Sequence, residues 1–259
     1  MIDRRELLEK SRDRNLPLTI VEKDYVLGWL LFGFSKILAL VFKGGTALSK
    51  IYFPQMWKLS EDLDFACLEY DFGKITDLLE STFTLIREKS GIVMNVKNEY
   101  SNPEYLQLKI QYSAILGKNW IKVDATKEEP KDTIVKREIQ RIYSDYTRFT
   151  IKVESLEEIL AEELRALLER RKCRDYYDVW KLLDLKIDKD RVTEIFSQKC
   201  KSKGIEVSGI HQFFPQNLNE ILKPYWEREL GRLVFPVPDM ESILDELQKN
   251  VRNTLYEVS

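Results

Sequence analysis

A glycine pair and two closely spaced carboxylates lie within KGGTALSKIYFPQMWKLSEDLDFACL, which spans residues 43 to 68. Asp62 and Asp64 are two residues apart, so on a β-strand both side chains point to the same face. Carboxylate oxygens are the ligands that Mg²⁺ and Mn²⁺ prefer in proteins. The turn Gly44–Thr46, placed before a short helix, offers backbone N–H groups and a hydroxyl to a phosphate. The two motifs together predict a metal and nucleotide site.

A third acidic residue comes from a later segment. Asp124 lies in IKVDAT, whose period of two predicts a strand. A neighbouring strand can bring its carboxylate to the first two, as a two-metal phosphoryl-transfer centre requires. Taken alone, a DxD pair is usually an exposed strand face, and a glycine pair is usually a turn. The order of strand, GGT turn, short helix, DLD strand and later acid favours a functional site.

Hydrophobic periodicity predicts the elements that position these residues. A capping pattern of Thr19 and Glu22 predicts a helix that starts near Ile20 and runs into the mid-thirties. Residues 38–42 predict a buried strand that ends at the glycine pair. Further strands are predicted at 63–68, 105–112, 120–125 and 149–153, and helices at 46–52, 75–89 and 239–255. A second capping pattern of Ser155 and Glu158 predicts another long helix.

These elements predict an α+β fold. Residues 1–154 are expected to form a mixed β-sheet flanked by helices, and residues 155–259 a mainly helical region packed against it. The chain shows no internal repeat and no Gly/Ser linker. Residues 25–42 form the one apolar stretch near membrane-spanning length, but Lys36 interrupts it. A buried helix followed by a buried strand is therefore expected, and no membrane association.

Composition limits the class of protein. The chain has 259 residues, of which 44% are hydrophobic and 32% charged, as expected for a folded globular protein. Its net charge of -2 argues against a broad nucleic-acid surface and leaves room for a local basic patch. The three cysteines, Cys67, Cys173 and Cys200, have no zinc-type spacing and fit a reducing compartment. The charged N-terminus lacks a secretory pattern, so a cytoplasmic location is expected.

Other enzyme classes lack their motifs. His211 is the only histidine, so a Ser-His-Asp or Cys-His mechanism would depend on that one residue in HQFFPQN. The chain has no G-x-x-x-x-G-K-[ST] for a P-loop and no G-x-G-x-x-G for a dinucleotide fold. The acidic and glycine motifs are therefore the main indication of function in the sequence.

Three segments resemble a known family. FKGGTALSKIYFPQMWKLSEDLDF resembles the signature of the AbiEii/AbiGii toxin family, a branch of the polymerase-β-type nucleotidyltransferase superfamily. IVEKDYVLGWLL resembles the family's short acidic-basic motif before its first core helix. ILAEELRALLERRKCRDYYDVWKL resembles its later helix, which is followed by an RDxxD motif. The resemblance extends from about residue 20 to residue 183.

The resemblance implies a nucleotidyltransferase fold and the toxin half of a toxin–antitoxin pair, with an antitoxin as partner. It also implies Mg²⁺ or Mn²⁺ as cofactor, a nucleoside triphosphate as donor, and RNA (tRNA in some members) or protein as acceptor. Carried over by position, Asp62, Asp64 and Asp124 are the expected catalytic and metal-binding residues. The expected nucleotide-binding residues are Lys43, Gly44, Gly45, Thr46, Ser49, Lys58, Ser60, Arg170, Arg174, Asp175 and Asp178.

The sequence departs from the family pattern at two positions. Lys58 replaces the usual arginine ahead of SED, and Glu163 replaces the usual lysine of the AEKL pattern. Glu163 lies on the predicted core-facing stripe of its helix, and a regular helix would bring Arg170 and Arg174 to about the same side. One hypothesis is that Glu163 pairs with one of these arginines and turns it toward the phosphates. The alternative is a nucleotide-binding or interaction protein that keeps the fold without turnover.

The basic run between residues 165 and 174 leaves two interpretations open. It can be a solvated helix face, which is the usual structure of a charge run. It can also bind the phosphate backbone of RNA.

Overall fold

The computed structural model describes residues 1–53, 58–68 and 72–256. The chain divides into two compact units. The first comprises Met1–Pro130 and Ile134–Glu154, and the second comprises Lys131–Thr133 and Ser155–Ser259. All the strands of the described residues belong to the first unit, whereas the second is helical.

Seven strands of the described residues form one mixed sheet in the first unit. They are β1 Leu40–Lys43, β2 Asp62–Cys67, β3 Val93–Asn102, β4 Tyr105–Ala114, β5 Gly117–Lys127, β6 Val135–Glu138 and β7 Thr150–Val153. Their order in the sheet is β3-β4-β5-β2-β1-β7-β6. The β2–β5 and β1–β7 pairs are parallel, and the other neighbours are antiparallel.

The helices of the first unit are α1 Arg4–Arg14, α2 Leu18–Phe34, α3 Gly44–Ala47, α4 Gly73–Asp77 and α5 Leu79–Ser90. A single turn of π-helix, Leu48–Tyr52, continues α3. Helix α5 ends at Gly91, whose φ of 77° suits glycine. Helix α5 packs against α2 and β3, and α2 also contacts β5.

Along strands β4 and β5, buried side chains alternate with more exposed ones, as expected for strands with one face in the core. One face of this hairpin packs into the core and buries Leu106, Leu108, Ile121 and Val123. The opposite face carries side chains that are exposed or half-buried. That second face holds Asp124, so the packing of the hairpin core determines which way this carboxylate points.

Helix α2 is buried along almost its whole length. It begins at Leu18, within two residues of the predicted start near Ile20. Its N-cap is Pro17 and no side chain caps it, so the predicted Thr19 cap is wrong. Glu22 is engaged elsewhere, because its carboxylate accepts a hydrogen bond from the backbone N–H of Leu116. Among the described residues, no helix is long and apolar enough to span a bilayer.

The helices of the second unit are α6 Leu156–Glu169, α7 Cys173–Leu183, α8 Lys189–Ser202, α9 Leu218–Leu222, α10 Trp226–Leu230 and α11 Met240–Leu255, with a 3-10 turn at Ile210–Gln212. The Ser155 hydroxyl caps α6 by accepting the N–H of Glu158 at 3.1 Å. The predicted fold class, a mixed sheet flanked by helices and followed by a helical region, is confirmed.

Candidate functional site

Three carboxylates share one face of the sheet in the first unit. Asp62 and Asp64 lie on β2, and Asp124 lies on its parallel neighbour β5. Asp64 and Asp124 are direct register partners. Because side chains two residues apart on a strand point the same way, Asp62 joins them on that face. The strand pairing therefore brings together the three acids that the sequence singled out.

The glycine pair lies directly beside this cluster. Lys43, the last residue of β1, pairs with Asp64 on β2, and Gly44 follows at once. Gly44 has a φ of 72°, which strains any residue with a side chain. A Cβ at Gly44 would lie 3.4 Å from Oδ2 of Asp64. The turn therefore brings bare backbone against the carboxylate cluster.

The charges around Asp64 are unbalanced. Burial raises the pKa of Asp64 to about 6, and the nearby carboxylates Asp124 and Asp62 add to the effect. The ammonium groups of Lys122 and Lys43 act in the opposite direction. Carboxylates this close together repel one another when ionised, which raises the pKa. A hard divalent cation bound to their oxygens would offset that repulsion. Binding of Mg²⁺ or Mn²⁺ by Asp62, Asp64 and Asp124 stays a prediction.

We expect Asp64→Asn to stabilise the cation-free protein. Because the folded-state pKa of about 6 lies above the ordinary 3.8, the folded protein binds this proton more tightly than the unfolded chain. Stability without a cation should therefore fall as the pH rises from about 4 to about 6. Asparagine removes the charge, so the free energy of unfolding at about pH 7.5 should rise by about 1 to 2 kcal/mol.

Urea unfolding in EDTA measures this effect. The gain should shrink at about pH 4, where Asp64 of the unsubstituted protein is itself protonated. A variant that is less stable than the unsubstituted protein at about pH 7.5 would show that Asp64 is not under electrostatic strain.

Asp124 is held by side chains that the sequence did not single out. Its Oδ1 accepts hydrogen bonds from the Tyr105 hydroxyl at 2.7 Å and from Nε2 of Gln107 at 3.0 Å. Its Oδ2 lies 2.6 Å from Nζ of Lys122. Lys122 was recognisable as the residue two before Asp124 on the same strand face. Gln107 follows from the β4–β5 hairpin register, in which it lies opposite Asp124.

The hydroxyl groups near the turn connect it to the rest of the sheet. Thr46 donates to the backbone carbonyl of Asp62 at 2.7 Å. The hydroxyls of Ser49 and Ser60 are buried and lie 3.0 Å apart in a hydrogen bond. These contacts fix the turn beside β2. Contact of the three hydroxyls with a nucleotide stays a prediction.

Two lysines of the predicted nucleotide-binding set also lie in the first unit. Lys43 forms an ion pair with Glu128, with 2.7 Å between Nζ and Oε2. Lys58 is buried, with 4% of its surface exposed. A role for either in binding phosphate stays a prediction.

A buried ion pair lies behind the turn. Nζ of Lys50, in the π-helix, is 2.8 Å from Oδ2 of Asp24 on α2, and both side chains are fully buried. The Tyr143 hydroxyl donates to the same carboxylate at 3.0 Å. Single-turn π-helices are frequent at functional sites. The pair fixes the segment that follows the glycine turn, and the sequence did not indicate it.

The other four predicted nucleotide-binding residues lie in the second unit. Helix α6 ends at Glu169, and α7 carries Arg174, Asp175 and Asp178. Asp175 and Asp178 are buried, and Arg174 is half-buried. Arg170 binds Asp175 through two hydrogen bonds, of 2.9 Å from Nε and 3.0 Å from Nη2. The acidic residues of the RDxxD motif are therefore part of the packing of this unit.

The hypothesis that Glu163 pairs with Arg170 or Arg174 is confirmed for the pairing with Arg170. The helix breaks after Glu169, and Arg171 has a φ of 45°, so the assumption of a regular helix was wrong. Glu163 is buried, and its Oε2 lies 4.0 Å from Nη2 of Arg170, which is an ion-pair contact. Arg170 directs its short hydrogen bonds to Asp175 instead. For the same reason the basic run 165–174 is not one helix face.

We expect Arg170→Ala to destabilise the protein by about 2 kcal/mol, because it removes two charge-assisted hydrogen bonds from the buried Asp175 carboxylate. The guanidinium is about half exposed, so the loss should be smaller than for a fully buried pair. Chemical denaturation measures it, with Arg228→Ala as an exposed arginine control from the same unit. Equal losses in the two variants would contradict a structural role for Arg170.

Comparison with known families identifies the chain. The family model described as "Nucleotidyl transferase AbiEii toxin, Type IV TA system" matches residues 29–250. The chain belongs to this family. The AbiEii resemblance seen in the sequence is thus confirmed; the match starts at residue 29, inside the first resembling segment, and extends to residue 250, well beyond residue 183. Among curated proteins, none matches the chain.

Solved structures share the fold of this chain. MenT4, a nucleotidyltransferase toxin from Mycobacterium tuberculosis H37Rv, superimposes with a TM-score of 0.77 at 18% identity, covering 96% of this chain and 88% of that one. JHP933 from Helicobacter pylori gives a TM-score of 0.62 at 16% identity, with 92% of each chain covered. At these identities the likeness concerns the fold. Family and fold together indicate a nucleotidyltransferase of a toxin–antitoxin system.

Proposed function

We propose that the chain is a Mg²⁺- or Mn²⁺-dependent nucleotidyltransferase toxin. It transfers a nucleotide from a nucleoside triphosphate to a hydroxyl group of an RNA, such as a tRNA, or of a protein. The observation that supports this proposal is the placement of Asp62, Asp64 and Asp124 on one sheet face beside the glycine turn. Carboxylates around a bare backbone turn suit a cation and a triphosphate together.

In the proposed reaction, the acceptor oxygen forms a bond to the α-phosphorus. The bond between the α-phosphorus and the oxygen that bridges it to the β-phosphorus breaks. Pyrophosphate leaves, and the acceptor proton is lost to solvent or a nearby base. A bound divalent cation supplies charge neutralisation for the triphosphate. Gly44 and Gly45 would present backbone N–H groups without side chains to the phosphate oxygens. Lys43 and Lys122 add positive charge near Asp64. Tyr105 and Gln107 hold the Asp124 carboxylate in one orientation.

The proposed setting is the cytoplasm, with a cognate antitoxin as protein partner. Family membership supports an antitoxin. The three cysteines are free and buried, which is consistent with a reducing compartment.

A second candidate is a protein that binds nucleotide without transferring it. Glu163, where the family resemblance expects lysine, favours this alternative, and so does the engagement of Arg170 by Asp175. The missing lysine charge would weaken the hold on the triphosphate. Triphosphate binding without transfer, together with transfer gained in Glu163→Lys, would establish this alternative.

Position-specific labelling tests the proposal. The protein is incubated with Mg²⁺ and total RNA and with nucleoside triphosphates labelled at either the α- or the γ-phosphate. Nucleotidyl transfer moves α-label into the acceptor and releases γ-label as pyrophosphate. Transfer of γ-label would instead indicate a kinase, and release of phosphate alone would indicate a hydrolase. RNase and protease digestion of the labelled product identify the acceptor class.

A further inference from the structure

The outward face of β3, β4 and β5 differs in charge from the chain as a whole. The chain has 43 acidic and 41 basic residues. Yet among the outward positions of these three fully described strands, Asp124 is the one acidic residue. The face carries three lysines and three aromatic residues: Lys109, Lys118, Lys122, Tyr100, Tyr105 and Trp120. Most of its remaining positions are amides, such as Gln111.

Two of the aromatic side chains are unusually exposed to solvent. Tyr100 is 58% exposed and Trp120 is 39% exposed. Trp120 lies four residues from Asp124 along β5, which is about 13 Å in a strand. Tyr100 lies opposite Gln107, which lies opposite Asp124, so it is two strands or about 10 Å away. Both rings are within a few nucleotides' reach of the carboxylates.

Positive charge accompanies the more central ring. Nζ of Lys109 lies 4.0 Å from the centroid of Trp120, and Nζ of Lys23 lies 4.9 Å away. Lysine side chains are flexible, so Lys109 can move to a neighbouring phosphate when a base takes its place on the ring. An aromatic ring beside an ammonium group matches the two parts of a nucleotide, the base and the phosphate.

We propose that this face, here called the acceptor face, binds the single-stranded end of an RNA acceptor. Bases stack on Trp120 and Tyr100, and Lys109 and Lys118 contact phosphates. The terminal hydroxyl then points toward Asp124, in continuity with the candidate site. The inference rests on the proposed function and specifies how its acceptor is held.

The chemistry of the face favours a single strand over other partners. Stacking on exposed aromatic side chains needs unpaired bases, which a duplex does not offer. Protein interfaces are depleted in lysine, particularly at their centre. The amide side chains suit base edges and ribose 2′-hydroxyls, both of which an unpaired RNA presents.

Binding of labelled oligonucleotides tests the acceptor face without any transfer. The full chain is titrated against a fluorescent single-stranded RNA of about eight nucleotides, without triphosphate, and anisotropy is recorded. We expect Trp120→Ala to weaken binding about ten-fold and Tyr100→Ala about five-fold. Trp120→Phe retains a stacking ring and should stay within about three-fold. Tyr225→Ala, at a ring 43% exposed in the second unit, is the matched control and should leave affinity unchanged.

Salt dependence tests the lysines separately. Lys118→Gln and Lys109→Gln should each lower the slope of log affinity against log salt by about 0.7, as expected for one lost contact to a single strand. A blunt duplex of the same sequence should bind more weakly than the single strand. Equal binding of duplex and single strand, or an unchanged affinity in Trp120→Ala, would overturn the proposal.

The same variants distinguish this proposal from the proposed function. If RNA is labelled by the unsubstituted chain and Trp120→Ala leaves both labelling and binding unchanged, the acceptor face is wrong while the transferase stands. If a protein is the labelled acceptor and Trp120→Ala has no effect, the acceptor face is again wrong. If Trp120-dependent binding of the single strand occurs without transfer, the acceptor face stands and the transferase is wrong.

Discussion

Asp64→Asn should reduce nucleotidyl transfer by at least about 10³-fold. Asp64 lies at the centre of the candidate site, in register with Asp124 and with Lys43 and beside Gly44. Its loss removes a charge from the proposed cation site without adding bulk. Initial rates of α-label transfer, at saturating triphosphate and Mg²⁺, measure the effect.

Stability separates a chemical effect from unfolding. Asp64→Asn is expected to be at least as stable as the unsubstituted protein without cations, so lost activity cannot be attributed to a damaged fold. Asp77→Asn, at an exposed position of α4, is the matched control and should keep full activity. Transfer by Asp64→Asn at more than about a tenth of the original rate would rule out a central role for this carboxylate.

Lys50→Met should cause the largest loss of stability, about 3 to 5 kcal/mol. Lys50 and Asp24 are both fully buried, and their charged atoms lie 2.8 Å apart. Methionine fills a similar volume but leaves the Asp24 carboxylate without its opposite charge in a buried setting. Urea unfolding measures the loss, which should also lower transfer because Lys50 follows the glycine turn.

A double variant tests the reason for that loss. Lys50→Met combined with Asp24→Leu removes both charges and should recover most of the lost stability. The coupling between the two substitutions should exceed about 2 kcal/mol. Additive losses would show that the pair does not act as a unit.

Much of the candidate site could be predicted from short sequence motifs. The two-residue spacing of Asp62 and Asp64, and the glycines at the end of a buried strand, were enough to predict strand, turn and strand. They were enough because each depends on neighbours in sequence. The pairing of β2 with β5 required more, since the strands are more than fifty residues apart and periodicity does not fix strand order.

Other features left little local signal. Aspartate and lysine usually lie on the protein surface. Only tertiary packing makes Asp24 and Lys50 a buried pair. The helix break at Arg170 to Lys172 contains neither glycine nor proline, so the sequence favoured a continuous helix. Lys122 was predictable from the strand alternation, because it lies two residues before Asp124 on the same strand face.

Net charge was a poor guide to local surface. A total of -2 argued against a broad nucleic-acid surface. It says nothing about how charge is distributed among faces, and the acceptor face has one acid against three lysines. Strand register was needed to see that these residues point the same way.

The most direct test of the central claim is a crystal structure with Mn²⁺ and a non-hydrolysable nucleoside triphosphate, read by anomalous scattering. We expect a Mn²⁺ peak coordinated by Asp62 and Asp64, with Asp124 within reach of the same cluster and the triphosphate against Gly44 and Gly45. Asp64→Asn crystals treated in the same way should lose or weaken the peak. A triphosphate bound elsewhere, or Mn²⁺ absent from these carboxylates while the nucleotide is bound, would contradict a nucleotidyltransferase site at this position.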